Sequence, residues 1–246
     1  MTYESGSTPP ANMMAATVRR AVAFARAAAL DARLYLWCLL LALGFAYVAG
    51  VLCDRANPFH SRLGGYGEIA KLLVSAPFLY VLGPRSRLTQ PHQDWYTALK
   101  WYGLGYVLPF FIALHFFYLQ SISVVNYSLT WSDLSRMHPI GRGVFLGVAL
   151  LITLLAAYHI RLARQAGIAA PYTLSFVAMI VLIALATWLL RDRYYVHLHH
   201  YFVFGVLIPW ARFRNPVSVV CQAVCLGIYV EGVAEWGMVS IWALKI

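Results

Sequence analysis

Three histidines in four residues, His197, His199 and His200 in the run HLHH, form the one histidine cluster of the sequence. Imidazoles at this spacing can ligate zinc, copper or iron, and histidine changes charge near neutral pH. On a helix, His197 and His200 share a face and His199 points away. Tyr194, Tyr195 and Tyr201 flank the run, so the same residues also suit an interfacial patch at headgroup depth. Glu231 and Glu235, in GIYVEGVAEWG, are the second constellation. They are four apart and share one helical face. Two such carboxylates can form a proton or cation site, or pair with Arg191, Arg193 or a histidine of HLHH. An ionisable group among apolar residues is costly unless partnered. At least one of the two is therefore expected to face protein, within reach of a basic or histidine side chain from Arg191 to His200.

Other chemistries fit less well. His60, His92, His115, His138 and His159 are isolated, so the HxxxH and HxxHH boxes of membrane di-iron oxygenases are missing. A haem between helices needs two histidines at matching depth. His115 and His159 differ in expected depth by roughly ten residues, about 15 Å at 1.5 Å per residue. Cys38, Cys53, Cys221 and Cys225 contain no CxxC; Cys221 and Cys225 lie four apart, a packing arrangement. No complete catalytic motif occurs, and no resident cofactor is expected.

What must position these residues is a set of apolar runs. The clearest are Leu34 to Leu52, Trp101 to Val125, Val144 to Ile160, Tyr172 to Leu190 and Val217 to Leu244. A helical run of roughly 17–25 apolar residues matches the hydrocarbon thickness of a bilayer, and a helix satisfies its own backbone there. The chain is 61% hydrophobic and 11% charged, against about 25% charged in soluble domains. The expected fold is all-α, a polytopic transmembrane helical bundle of about six to seven membrane segments. One or two of these are short or re-entrant: Ile69 to Leu82 carries Lys71 and Pro77, and Phe202 to Trp210 is broken by Pro209. Two parts are read: 1–33, a polar tail plus a basic amphipathic interfacial helix, and 34–246, a single transmembrane domain. Gly143 and Gly147 make a small-xxx-small pair, which lets helices approach closely.

The net charge of +10 sits in the loops rather than on a groove, which excludes nucleic acid as the expected partner. Arg19, Arg20, Arg26, Arg33, Arg85, Arg87, Arg161, Arg164, Arg212 and Arg214 are the expected lipid headgroup contacts. Bound phospholipids such as cardiolipin follow from that reading. The stretch TVRRAVAFARAAALDAR is Arg-rich and acid-poor, like a mitochondrial presequence. The reading adopted is a surface helix over 11–33 that stays on the chain, its polar tail held by neighbouring subunits.

The segment HLHHYFVFGVLIPWARFRNPVSVVCQAVCLGIYVEGVAEWG is similar to the end of the membrane region of fungal LCCL-domain-containing proteins. His197, His199, His200, Tyr201, Gln222, Gly227, Gly232, Ala234, Trp236 and Gly237 carry the resemblance, over about a sixth of the chain. The LCCL domain itself is absent, and the family often has another polar residue where Glu231 stands. The resemblance implies a structural motif, not an activity. The expected function is a non-catalytic accessory subunit of a large hetero-oligomeric membrane assembly, a respiratory complex or ATP synthase of the mitochondrial inner membrane, with structural and lipid-binding roles. The alternatives are a metal-dependent membrane enzyme using HLHH with Glu231 and Glu235, or a proton or cation pathway through the two glutamates.

Overall fold

The computed structural model describes residues 32–53, 62–85, 99–121, 136–196 and 200–244. They are almost entirely helical. α1 is Ala32–Leu52, its last turn widened to a π-helix over Val48–Leu52. α2 is Arg62–Leu82. α3 is π-helical over Leu99–Val107 and α-helical over Leu108–Ala113, with a 3-10 stretch, Phe116–Ser121, after it. α4 is Pro139–Gln165, α5 Ala169–Leu190, α6 His200–Leu207 and α7 Pro216–Trp236. Among the described residues, α1, α4, α5 and α7 are long and apolar enough to cross a membrane.

Local chemistry sets the helix ends. α7 starts at Asn215, whose side chain accepts from the Val217 N–H at 3.0 Å, with Pro216 at the first helical position. Asn caps free N–H groups, and Pro has none to leave unsatisfied there. α7 stops at Gly237, whose φ of 74° with ψ of 170° is a backbone conformation that essentially only glycine adopts. In α3, the change from π to α falls beside Pro109, which cannot donate to the preceding turn.

α7 is the axis of the molecule. α1, α2, α3 and α6 surround it, and Leu226, Val230 and Val233 on it are fully buried. It is apolar on nearly every side, as a central helix must be. Gly227 permits the closest approach: a Cβ there would lie 2.5 Å from the Phe110 carbonyl oxygen and 2.6 Å from Ala113 Cβ. The α4–α5 hairpin stands outside this bundle. Its base is held by rings, with His159 and Tyr172 against Phe213 and Phe176 against Trp210. The Tyr172 hydroxyl donates to the Trp210 carbonyl at 3.0 Å.

The elements run alternately up and down. One end gathers Arg33, Arg85, Lys100, Arg161, Arg164, Arg212 and Arg214, around the level where Trp37, Tyr80 and Tyr106 pack. The other end holds every described carboxylate, Glu68, Asp192, Glu231 and Glu235, together with Lys71, Arg136, Arg142, Arg191 and Arg193.

Several expectations need correction. The fold is not purely helical: β1, Tyr194–Val196, pairs antiparallel with β2, Trp242–Leu244. The last apolar run therefore does not continue as helix to Leu244. The short segment expected over Ile69 to Leu82 is a helix of 21 residues, because its glycines are absorbed into the first turns. The run from Trp101 is broken rather than continuous, since its α-helix ends at Ala113. The interfacial helix expected over 11–33 lies outside the described residues but for its last two.

Candidate functional site

The carboxylate-bearing end of the bundle is the candidate site. Glu231 lies inside α7 and is 0% exposed. His200, the first residue of α6, points at it, and His200 Nε2 lies 3.0 Å from Glu231 Oε2. The carboxylate can only accept, so Nε2 carries the proton and donates it, an assignment made from the partner. Gly232 makes room: a Cβ there would stand 2.8 Å from His200 Nε2. The Phe116 ring closes on the imidazole at 5.2 Å between centroids.

Glu235 lies one turn further along α7, on the face that carries Glu231. Glu231 Oε1 and Glu235 Oε2 are both buried, and no donor among the described residues reaches either. Cys53, at the end of α1, borders the pair. Burial, followed by the charges of Glu235 and Glu231, pushes its thiol up to about 12, so it stays protonated and unreactive at neutral pH.

A second layer ties the chain ends to this site. Glu68 of α2 accepts from the Met238 N–H at 2.6 Å and pairs with Lys71 at 2.6 Å. The Tyr201 hydroxyl donates to the Val239 carbonyl at 2.6 Å. Towards the middle of the bundle, Ser75 Oγ and Tyr229 Oη share a hydrogen bond at 2.9 Å. Farther down, Gln222 Nε2 donates to the Ile208 carbonyl at 2.9 Å and Tyr106 donates to Gln222 Oε1 at 3.4 Å. Beside the Ser75–Tyr229 pair, an apolar cavity of about 480 Å³ opens between α2, α5, α6 and α7, walled by Phe78, Met179, Val206 and Trp210.

Of the five residues expected to make the polar cluster, the structure brings together His200, Glu231 and Glu235. His197 and His199 lie outside the described residues. Among the described residues no group of three His, Cys, Asp or Glu side chains is placed to hold a metal ion. His115 bonds Tyr47 Oη at 3.1 Å near the carboxylate end, whereas His159 sits at the opposite end against Phe213. Of the expected headgroup arginines, Arg33, Arg85, Arg161, Arg164, Arg212 and Arg214 share one end, and Arg19, Arg20, Arg26 and Arg87 lie outside the described residues. Sequence reasoning missed Glu68 and Tyr229. Glu68 carried a usable signal, a lone carboxylate within an apolar stretch.

No family model, no curated protein and no solved structure matches this chain.

Proposed function

We propose that this protein is a non-catalytic accessory subunit of a larger membrane assembly, crossing the bilayer with six or seven segments. The observation that carries the reading is the α4–α5 hairpin. Among the described residues almost none of it is buried, and around Gly143 and Gly147 none of them lies within 4 Å of an added Cβ. Small residues on an uncovered apolar helix are what a second transmembrane helix packs against. α1, α2, α3 and α6 complete the bundle around α7, where partner chains are not needed.

The basic end of the bundle suits anionic headgroups, and the apolar cavity beside Trp210 suits lipid tails; together they support the lipid-binding role, with cardiolipin as the headgroup expected in a mitochondrial inner membrane. The basic character of residues 16–33 supports that membrane as the location. Tyr201, Gln222, Gly227, Gly232 and Gly237 each make or permit a contact that shapes the C-terminal unit.

Gentle solubilisation and then native electrophoresis tests the assembly. Co-migration with a far larger complex is the expected result. Migration as a lone 27.6 kDa chain with its lipid belt would sink the reading.

A further inference from the structure

We propose that Glu231, Glu235 and His200 form a binding site for one exchangeable proton, open to the carboxylate end of the bundle and closed towards the other. The hydrogen-bond balance leads there. Glu231 Oε2 takes the His200 N–H, but Glu231 Oε1 and Glu235 Oε2 are buried and have no donor among the described residues. A carboxylate oxygen only accepts, so two ionised carboxylates in contact leave both oxygens unsatisfied. A single proton held between them supplies the missing donor: one carboxyl becomes an acid and donates to the other.

A metal cation fits the same place poorly. Calcium takes about six to eight oxygen ligands and magnesium demands an octahedron, while the described residues offer no set of three ligating side chains. A proton needs only the two oxygens already present. With it bound, the pair carries one negative charge, and the imidazole donates to that charge.

His200 connects the pair to the surface, since a quarter of its side chain is exposed. A proton arriving at Nδ1 makes the ring an imidazolium, which passes its Nε2 proton to Glu231 Oε2: one N–H bond forms, one breaks and one O–H bond forms. Rotation of the Glu231 carboxyl then turns that O–H towards Glu235, and the ring exchanges its Nδ1 proton for one on Nε2 through solvent, which restores the donor to the singly charged pair. In the opposite direction the route stops. From Ala223 to Val230, α7 carries no carboxylate and no imidazole, Leu226 and Val230 are fully buried, and the Tyr229 hydroxyl is engaged with Ser75. Among the described residues, the other titratable groups near the site are Cys53 from α1, the Tyr47–His115 pair between α1 and α3, Glu68 with Lys71 from α2, and Tyr201 from α6. Glu68 and Lys71 neutralise each other, and Tyr201 donates elsewhere. This inference does not rest on the protein having partner subunits.

Infrared spectroscopy of the full chain in lipid nanodiscs at pH 7 tests it. The expected result is one carboxylic acid C=O band that shifts in D₂O and disappears in both Glu231→Gln and Glu235→Gln but survives in Glu68→Gln. Should the variants fail to fold, wild-type protein with ¹³C-carboxyl glutamate still decides, because the band must then shift. Absence of the band, its insensitivity to glutamate labelling, its survival in both variants, or its loss on adding sodium, potassium or calcium would overturn the proton site. Proton flux through liposomes above that of empty vesicles, abolished in Glu235→Gln, would overturn its one-sidedness.

Discussion

α7 and the α4–α5 hairpin are built from comparably apolar helices, yet one is the axis of the bundle and the other stands almost bare. Within the most apolar stretch of α7, 78% of residues are buried, against 6% in α4 and none in α5. Apolarity therefore does not decide which helix is central. The polar side chains do. On α7, Gln222, Tyr229 and Glu231 each bond outside their own helix. On the hairpin, Thr153 and Ser175 turn back to carbonyls three or four residues earlier on their own helix, and only its ends reach out, through Tyr172 to Trp210 and through Thr187 to the Trp242 indole. A hydroxyl without a neighbouring element satisfies itself that way. Glycine divides the two regions likewise: Gly227 and Gly232 are walled in by neighbours, Gly143 and Gly147 are open.

The sharpest way to break this contrast is to remove the donor at the site. His200→Leu leaves Glu231, fully buried, without its imidazole. Breaking a buried pair from one side costs about 3–5 kcal/mol. Unfolding in a denaturing detergent should show that loss, and a change under about 1 kcal/mol would mean that the contact is incidental.

Paired leucines put the comparison on equal chemistry. Leu226 on α7 is fully buried and Leu182 on α5 is 64% exposed. Leucine to alanine in a packed core costs about 2–5 kcal/mol. Lipid tails are as apolar as leucine, so mainly the packing part of that cost applies between helices in a bilayer. Leu226→Ala should therefore fall near the lower figure, while Leu182→Ala leaves the midpoint unchanged. Equal losses at both positions would show that the hairpin packs as tightly as the axis.

Gly227→Val comes next. Its side chain would meet the Phe110 backbone rather than a flexible side-chain end, so α3 must move away from α7. Overpacking of this kind costs about 1–3 kcal/mol. Crosslinking between cysteines placed on facing turns of α3 and α7 should weaken together with stability.

Some of this was legible in the sequence and some was not. The runs that became α4, α5 and α7 announce themselves by length, although the last reads on to Leu244, past Gly237 where the helix stops. That a carboxylate of α7 must meet something near HLHH is dictated by the cost of burying it alone. The β1–β2 ribbon carries no such signal: each strand has three residues, and the partners are some fifty positions apart, as with Tyr194 and Leu244. The start of α2 was obscured because Gly64, Gly65 and Gly67, which read as a loop, are carried inside the helix by the apolar turns from Ile69 onwards.

The smallest expected effect on stability is also the one that tests what the bare hairpin is for. Gly143→Val with Gly147→Val adds two branched side chains where nothing lies within 4 Å. Substitutions away from packed features stay within about 0.5 kcal/mol, so the isolated chain should unfold as the wild type does. Val carries bulk on its Cβ that no rotamer removes, so a partner helix seated against these glycines would be pushed outwards. Native electrophoresis should then show the chain leaving its complex at unchanged intrinsic stability. Retention in the complex would place the partner contact elsewhere. A loss of stability in the isolated chain would mean that α4 packs against its own bundle, and the difference between axis and hairpin would dissolve.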